Sequence, residues 1–363
     1  MTTTSVSIIK KLLIVFLVFA GLYYGKDFFI PLTIGAVLAT LFLPFCKWLE
    51  GKKITRGLAV LICLLTLLLA SAIIVAMLSW QISALTNDLE LLKQKIYEMA
   101  NHTQAYVISH FGISAEKQVQ LFINGQSSFT QSIPKMAGSL AFIFTNAILV
   151  LVYISFILYY RDHIKNFFLK LSNSNQQTEM KLVVSGAASI SQQYLVGLTK
   201  MIVCLWIMYG IGFSLIGVKN ALFFAFLCGL LEIVPFIGNL TGTTLTILVT
   251  AVQGGSLPML VSIGTTYGLI QFIQGWVLEP LILGPQVKIN PLFTIIALVV
   301  GELVWGIAGI FLAIPLLAMF KIVCDHIEPL KAYGFLIGEV ESKNLESGFI
   351  KKLKNWYKRK LLK

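Results

Sequence analysis

The stretch LLEIVPFIGNLTG, residues 230–242, places a carboxylate at Glu232, a proline at Pro235 and a glycine at Gly238 inside a long apolar region. Proline removes a backbone donor and clashes with the preceding helical turn. Within a membrane, such a break is tolerated only where protein or a water-filled cavity satisfies the freed backbone groups. The stretch therefore predicts a discontinuous helix that brings a carboxylate to a polar site. A simple proline kink is the alternative.

The composition of the whole chain predicts an all-α polytopic integral membrane protein. Of its 363 residues, 57% are hydrophobic and 12% are charged, whereas soluble domains carry about 25% charged residues. The net charge of +12 does not indicate a nucleic-acid partner, because the basic residues flank the apolar segments. The 5 cysteines lie in or beside apolar runs, and the 4 histidines lack ligand spacing. We therefore expect no metal site and no cofactor.

Long stretches without charged residues predict about eight membrane segments, with broken or re-entrant helices in the C-terminal half. A spanning helix needs about 20 mainly apolar residues. The predicted segments are 10–27, 28–46, 57–82, 135–160, 199–217, 220–252, 257–283 and 290–322. If both termini are cytoplasmic, 21 Lys and Arg residues lie inside and 7, among them Lys288, lie outside. The positive-inside rule favours this orientation.

These segments divide the chain into six parts. The parts are three N-terminal membrane helices (1–82), an extracytoplasmic amphipathic helical stalk (83–133), a fourth membrane helix (134–161), a cytoplasmic linker with an amphipathic helix (162–198), a C-terminal membrane core (199–325) and a cytoplasmic basic tail (326–363). The tail predicts an interfacial helix on anionic lipids, with a disordered tail as the alternative. Its proposed lipid-binding residues are Lys351, Lys352, Trp356, Lys358 and Arg359.

Three carboxylates, Glu232, Glu279 and Glu302, fall within the predicted membrane segments. Each costs roughly 2.5–3.5 kcal/mol at the centre of a bilayer on insertion scales. Because no Lys or Arg lies within these apolar stretches, the carboxylates must be protonated in part or face water. A proton or cation relay has the same requirements. We predict an ion-coupling or solute pathway through these carboxylates and Asn239, although Glu302 could lie near the end of its segment.

Helix-breaking residues accompany each carboxylate and indicate hinges. Transporters use such breaks to aim helix ends at a solute or ion. The predicted break and hinge residues are Pro235, Gly238, Pro280, Gly284, Pro291, Gly306, Gly309 and Pro315. Two aromatic residues, Phe236 and Trp276, are predicted to line the route. Gly264 and Gly268 form a G-x-x-x-G, a weak indication of close helix packing within the chain.

The C-terminal half resembles the autoinducer-2 exporter family of bacterial inner-membrane permeases. Three motifs carry the resemblance: E-x-x-P-x-x-G at 232–238, L-E-P-x-I-L-G at 278–284 and G-x-x-G-x-x-x-A-x-P at 306–315, with Pro291 between the last two. A proline at 285 departs mildly from the family pattern and affects the loop. The resemblance implies a transporter of the bacterial inner membrane and a homo-oligomer. Some members resemble exporters of autoinducer-2, a quorum-sensing signal, and others resemble sodium- or proton-coupled antiporters.

The leading functional prediction is an inner-membrane secondary transporter. It would move a small polar solute or a cation outward, coupled to H⁺ or Na⁺, with Glu232 as the first coupling carboxylate and Glu279 as the second. No Walker loop, serine nucleophile elbow or H-E-x-x-H motif predicts an enzyme. The alternative is a non-transporting membrane scaffold that binds envelope or signalling partners through the stalk. An intramembrane enzyme is a weaker third option.

Overall fold

The computed structural model describes residues 3–86, 146–172, 177–233, 237–283 and 288–339, and these ranges are almost entirely helical. Within them no strand occurs beyond an isolated antiparallel bridge between Ile289 and Gly338. The all-α prediction is confirmed. The helices are α1 (Thr3–Tyr24), α2 (Lys26–Gly51), α3 (Arg56–Thr86), α4 (Asn146–Tyr159), α5 (Arg161–Leu171), α6 (Gln177–Ile216), α7 (Ala221–Leu231), α8 (Ile237–Val252), α9 (Leu257–Ile273), a π-helix (Gln274–Leu283), α10 (Pro291–Trp305), α11 (Ile307–His326), a 3₁₀ turn (Glu328–Leu330) and α12 (Lys331–Ile337).

Several of these helices are suited to a membrane. Among the described residues, four helices are long and apolar enough to cross it: α2, the first part of α3, α6 and α11. The number is five if α4 and α5, which meet at a bend of 69°, count as one span. The chain is therefore a multi-pass membrane protein. Most of the predicted stalk and the predicted lipid-binding tail residues fall outside the described ranges.

Small side chains bring α2 close to α3 and α4. Cys46, Ala59 and Cys63 are fully buried at this junction. About three turns earlier on α2, a Cβ atom added to Gly35 would lie 2.8 Å from the Cβ of Tyr153 on α4. Lipid chains are as apolar as leucine, so helix association in a membrane depends on such close van der Waals packing rather than on the hydrophobic effect.

Ion pairs join α2, α3 and α5 at one end of this bundle. Arg161 donates a hydrogen bond to Glu50, and the Arg56 Nη2 atom lies 2.5 Å from Asp162 Oδ2. The Arg56 guanidinium keeps the pKa of the Asp162 carboxyl below its usual value. We call this the basic end. Lys331 of α12 lies there too, within electrostatic reach of Glu179 at the start of α6.

The long helix α6 is the axis of the C-terminal half. It contains 40 residues without a break, about 60 Å at 1.5 Å per residue. It therefore joins the predicted cytoplasmic amphipathic helix and the predicted fifth membrane segment in one element. It begins at the basic end and finishes at Ile216, close to Lys219 and Asn220. We call that opposite end the far end.

Helices α7 and α8 form a first hairpin. It occupies the region that the sequence predicted as one membrane segment, 220–252. Gly238 of α8 lies so close to α7 that an added Cβ would overlap the carbonyl of Leu231. One helical turn on, a Cβ on Gly242 would lie 2.9 Å from Cys228 Sγ. This antiparallel pairing folds the chain back between the end of α7 and the start of α8. Residues 234–236, which include Pro235 and Phe236, fall outside the described residues.

Helices α10 and α11 form a second hairpin, so the prediction of one membrane segment over 290–322 is wrong. Gly306 turns the chain with φ +62°, a left-handed conformation that favours glycine. Beyond the turn, an added Cβ on Gly309 would overlap the backbone of Gly301. The Trp305 Nε1–H donates to the Leu22 carbonyl at 2.9 Å, which fixes this turn against α1. The two glycines allow a contact too close for any side chain.

The two hairpins approach the middle of α6 from opposite ends. In the first, Gly229 of α7 packs on Trp206 and Ile202 of α6, so α7 runs from the far end towards the middle of α6. In the second, Ile322 of α11 packs on Gly186 near the start of α6, so α11 runs towards the basic end. The closed loop of each hairpin therefore lies near the centre of α6.

The loop before α10 lies at the same end as the C-terminal segment, so its predicted separation from that segment is wrong. The Asn290 N–H donates to the Ile337 carbonyl at 2.9 Å, and the Glu339 N–H donates to the Lys288 carbonyl at 3.1 Å. Because α11 ends at the basic end, Lys288 lies there as well. The sequence had placed Lys288 on the opposite side from α12, because the predicted single segment over 290–322 hid a hairpin.

The G-x-x-x-G of α9 does not mediate helix packing within the described part of the chain. A Cβ atom added to Gly264 or Gly268 would meet nothing within 4 Å among the described residues. The close glycine contacts instead lie in the two hairpins and along α6. The expectation of intramolecular packing at this motif is therefore wrong for the described chain.

Candidate transport site

Glu232 lies at the closed loop of the first hairpin and is 4% exposed. It directly follows the last residue of α7. The Gln274 Nε2 amide donates to its Oε1 atom at 2.6 Å, and the Asn239 Nδ2 amide donates to its Oε2 atom. Each carboxylate oxygen therefore accepts one amide hydrogen bond. No Lys or Arg among the described residues forms a salt bridge with it.

The two amides also bind each other, which makes a closed network of three side chains. Asn239 Nδ2 donates to Gln274 Oε1 at 3.2 Å, and Gln271 Nε2 lies 3.4 Å from the same oxygen. Asn239 is fully buried and Gln274 is 4% exposed. Buried polar networks hold a defined geometry when their members are paired, and they are costly when one partner is lost. The network thus holds Glu232 between the first turn of α8 and the start of the π-helix.

The wide turns of the π-helix place Gln274 and Glu279 on the same side of the bundle. The π-helix runs over Gln274–Leu283 and contains Pro280. Such i→i+5 segments are rare and occur frequently at functional sites. Glu279 is half-buried and lines the same cavity as Glu232. The structure therefore brings two of the three predicted carboxylates to one place.

A cavity of about 660 Å³ extends from Glu232 to the basic end. At its inner limit it meets Glu232, Glu279 and Tyr194, and at the basic end it meets Lys288 and Glu339. Its remaining walls are mainly apolar. They are formed by Leu198, Met201, Gly275, Pro280, Leu283, Ile289, Pro291, Thr294, Ile295, Leu298 and Ile314. Concave, largely apolar sites with a few polar groups are typical of small-molecule binding.

Comparison with known proteins identifies the family. A family model described as AI-2E family transporter matches residues 12–328. The chain belongs to this family. Its relatives include "Putative transport protein YueF" of Bacillus subtilis (strain 168), 26% identical over 337 residues, which cover 88% of this chain and 87% of the relative. "Putative transport protein YhhT" of Escherichia coli (strain K12) is 21% identical over 341 residues, 92% and 95% of the two chains.

A third relative matches a shorter part of this AI-2E family transporter at higher identity. "Putative transport protein YtvI" of Bacillus subtilis (strain 168) is 32% identical over 241 residues, which cover 63% of this chain and 60% of the relative. The matches to the first two relatives extend over most of both chains. The resemblance stated from the sequence motifs is therefore confirmed for the family as a whole.

The third predicted carboxylate of this AI-2E transporter lies apart from the other two. Glu302 is on the exposed face of α10, and it does not line the cavity. Its backbone carbonyl accepts the Gly306 N–H at 2.7 Å, which closes the hairpin turn. The predicted aromatic lining at Trp276 is wrong, because this side chain is 75% exposed and stacks on Phe272.

The predicted hinge residues have different roles in the structure. Pro280 and Pro291 line the cavity, whereas Gly238 and Gly309 make the close contacts of the two hairpins. Gly306 forms the turn of the second hairpin. Pro315 is buried within α11. Gly284, like Pro235, lies outside the described residues.

Two site residues were missed by the sequence analysis. Gln274 was not predicted, although it is an amide within the apolar stretch QFIQGWVLEP, and Tyr194 falls in the part predicted as a cytoplasmic linker with an amphipathic helix, 162–198. The amide offered a signal, since an uncharged polar side chain in an apolar segment is costly unless it has a partner. Tyr194 offered none, because its neighbours on α6 do not reveal that Glu232 lies opposite.

Proposed function

We propose that this AI-2E family protein is a secondary transporter of the bacterial cytoplasmic membrane. It moves a small polar solute or a cation outward and couples this movement to H⁺ or Na⁺ through Glu232. The observation that carries the proposal is a buried carboxylate, held by two amides and without a described cationic partner, at the inner limit of a cavity. A charge without a counter-ion is costly there, so binding a proton or a cation is favourable.

The position of the cavity supports the direction of transport. The Lys and Arg residues at the basic end favour a cytoplasmic location for that end, so the cavity would load from the cytoplasm. The volume of about 660 Å³ lies within the range of roughly 300–1,000 Å³ typical of small-molecule sites. Apolar walls with carboxylates at one limit suit a small solute that donates hydrogen bonds or carries a positive charge.

The two opposed hairpins support an alternating mechanism. Each has its closed loop near the middle of α6, and one reaches it from each end of the bundle. Transporters commonly place solute and ion sites where broken helices of two repeats meet. In this arrangement, protonation or cation binding at Glu232 removes a buried negative charge, which lowers the cost of moving the first hairpin relative to its neighbours.

Ion flux into proteoliposomes tests the proposal. A trapped pH-sensitive dye would report proton movement under sodium, lithium or potassium gradients. We expect cation-dependent proton flux in the wild type and a loss of at least about tenfold in Glu232→Gln. The matched control is Glu302→Gln, because this carboxylate lies on an exposed face of α10 and should retain the flux.

Flux that survives in Glu232→Gln would contradict coupling at this residue. No flux from correctly folded protein would favour an uncoupled exporter of an organic solute, and labelled autoinducer-2 is the first solute to load in that case. If no solute moved and deletion of 88–130 alone abolished the cellular phenotype, the scaffold alternative would hold.

Homo-oligomer formation and lipid binding by the tail belong to the same proposal. The family resemblance supports the first, and the basic composition of residues after 350 supports the second. Cross-linking in native membranes tests the oligomer. Sedimentation of the tail peptide with anionic and neutral vesicles tests the tail, and equal binding to both would contradict an electrostatic attachment.

A further inference from the structure

Helix α8 carries its polar residues inward and its leucines outward. Asn239, Thr243, Thr246 and Thr250 are at most 3% exposed, and their spacing of four, three and four residues places them on one face of the helix. We call these four residues the polar stripe. On the opposite face, Leu240, Leu245 and Leu248 are 56%, 41% and 56% exposed. The polar side chains of α8 therefore face the interior of the helix bundle.

The polar stripe begins at the Glu232 network and runs to the far end of α8. Asn239 donates to Glu232, and Thr250 lies near the end of α8, at Val252. The distance along the helix is about 16 Å at 1.5 Å per residue. Because α8 runs from the closed loop of the first hairpin back towards the far end, the stripe leads from Glu232 in the direction opposite to the cavity.

Other polar side chains face the stripe from α6, α7 and α9. The hydroxyl of Tyr209, on α6, lies beside Thr243 and Gln271, and the thiol of Cys228, on α7, lies 4.0 Å from the Thr243 hydroxyl. Tyr267 of α9 is within electrostatic reach of Glu232 and Cys228. The titratable groups along this line are therefore Tyr209, Tyr267 and Cys228, with Glu232, Glu279 and Tyr194 at its inner limit.

Three buried polar atoms on this line form no hydrogen bond of standard geometry with the described residues, although Thr243 and Gln271 lie near one of them, the Tyr209 hydroxyl. They are Asn239 Oδ1, Tyr209 Oη and Thr250 Oγ1. Such groups cost about 1–3 kcal/mol each when nothing pairs with them, and in proteins they are generally paired with buried water. They lie at the start, the middle and the end of one line, which is the arrangement expected of groups that bind a file of water molecules.

We propose that the polar stripe holds a file of water that conducts protons between the far end and Glu232. This proposal rests on Glu232 as the coupling carboxylate. A proton enters from a hydronium ion at the far end and passes along the hydrogen-bonded waters. The last water transfers it to a Glu232 oxygen, which becomes a neutral carboxyl. When the carboxyl ionises towards the cavity, a water there accepts the proton, and the carboxylate is restored.

This path and the cavity are two halves of one route that meet at Glu232. The cavity half is wide enough for a solute and faces the basic end, whereas the stripe half is lined by hydroxyls and admits only water and protons. Solute and proton therefore reach the same carboxylate from opposite sides. This arrangement allows solute to be exchanged for protons, because Glu232 interacts with both.

Protection of single cysteines by Ag⁺ tests whether the stripe is hydrated. All five native cysteines are replaced by alanine, and Thr243→Cys, Thr246→Cys or Thr250→Cys is introduced singly. Ag⁺ added to membrane vesicles blocks thiols that water reaches, and maleimide labelling after denaturation counts the rest. The matched control is Thr244→Cys, which lies with the exposed leucines on the outer face of the same helix, away from the polar stripe. A further variant keeps only Cys228 and leaves the stripe unaltered.

We expect at least about tenfold more protection at the three stripe positions, and at Cys228, than in Thr244→Cys. Equal protection, or protection of Thr244→Cys alone, would overturn the proposal, because the stripe would then be dry. This readout needs no transport, so it is independent of the flux assay. If Glu232→Gln retained flux while the stripe was protected, the coupling role of Glu232 would fail and the hydrated stripe would stand.

Proton flux in Thr250→Val tests whether the water conducts. Valine matches the shape of threonine and removes the hydroxyl. We expect proton flux to fall at least fivefold in Thr250→Val and to stay within twofold of wild type in Thr244→Val. Full flux in Thr250→Val would overturn proton conduction along the stripe, even with Ag⁺ protection present.

Discussion

The Gln274 side chain donates a 2.6 Å hydrogen bond to Glu232, and this bond joins the π-helix to the closed loop of the first hairpin. Both side chains are 4% exposed. The bond therefore links the segment that lines the cavity to the segment that carries Glu232, the proposed coupling carboxylate. A change in the protonation or position of Glu232 therefore acts directly on the π-helix, because no water molecule is needed to connect them.

Removing the Gln274 amide should impair transport more than removing its neighbour. Gln274→Met keeps the length of the side chain but leaves one Glu232 oxygen without its donor. Hydrogen bonds to charged groups are worth about 1.5–3 kcal/mol, so we expect cation-dependent proton flux to fall about 10- to 100-fold. The matched control is Gln271→Met, since the Gln271 amide donates to Gln274 Oε1 at 3.4 Å rather than to Glu232. Equal loss in both variants would contradict a specific role for Gln274.

Adding a methyl group to Gly238 should destabilise the first hairpin. The Cβ of Gly238→Ala would overlap the Leu231 carbonyl, a backbone atom that no rotamer change can move. We expect a loss of about 1–3 kcal/mol or more, seen as a lower thermal midpoint and loss of the monodisperse peak in detergent. The control is Gly264→Ala, where a Cβ meets nothing within 4 Å among the described residues.

Alanine at Gly264 should leave the thermal midpoint unchanged or raise it slightly, because alanine is favoured over glycine in a helix interior. If Gly238→Ala were as stable as Gly264→Ala, the antiparallel contact between α7 and α8 would be wrong, and with it the position of Glu232.

The break at Glu232 and the family could be predicted from the sequence, because both depend on local residue patterns. A proline and a glycine soon after a carboxylate favour a helix break, although Pro280 and Pro315 lie inside helices that continue past them. The hairpins could not be predicted, because they depend on contacts between separate helices. Gly301 against Gly309 is such a contact, and nothing in a continuous apolar run over 290–322 distinguishes two short helices from one long one.

Glu302 shows why similar local sequence can have different surroundings. Glu232 and Glu302 both precede an apolar pair and a hairpin turn, and the sequence predicts a place in the ion or solute pathway for both. In α10, however, Gly301 faces α11. Successive residues of an α-helix point about 100° apart, so the next residue, Glu302, turns away from the hairpin partner and is exposed. Whether a carboxylate is buried or exposed depends on which neighbouring residue contacts the partner helix. That contact is part of the tertiary structure and cannot be predicted from the local sequence.

The ion pair of Arg56 with Asp162 should contribute stability that depends on pH. The hydrogen bond and positive charge of Arg56 keep the pKa of Asp162 below its usual value. The stability that the ion pair adds is therefore present above the pKa of the unfolded chain and is lost as the pH falls through the lower pKa of the folded state. Because the Asp162 side chain is 60% exposed, we expect less than about 1 kcal/mol.

Thermal unfolding of wild type and Asp162→Asn in detergent measures this contribution. The midpoints should differ near neutral pH, and the difference should shrink as the pH falls below the usual pKa of aspartate and through the lower pKa of the folded state. Arg56→Gln serves in a double-variant comparison, in which the two changes together should cost less than the sum of the single costs. A difference between Asp162→Asn and wild type that stayed constant with pH would show that the ion pair is not its source.

Filling the cavity should block transport while the protein stays folded. Leu298 of α10 lines the cavity, whereas Ile296, two residues earlier, does not and is 45% exposed. A tryptophan at Leu298 projects into the space between Glu232 and Lys288, which is open enough to receive it at about 660 Å³. We expect solute-dependent flux to fall at least tenfold in Leu298→Trp and to stay within twofold of wild type in Ile296→Trp. Thermal midpoints within a few degrees of wild type would show that neither variant misfolds. If Leu298→Trp kept its full flux, the solute would have to pass elsewhere in the bundle, and the cavity would lose its role as the cytoplasmic half of the route.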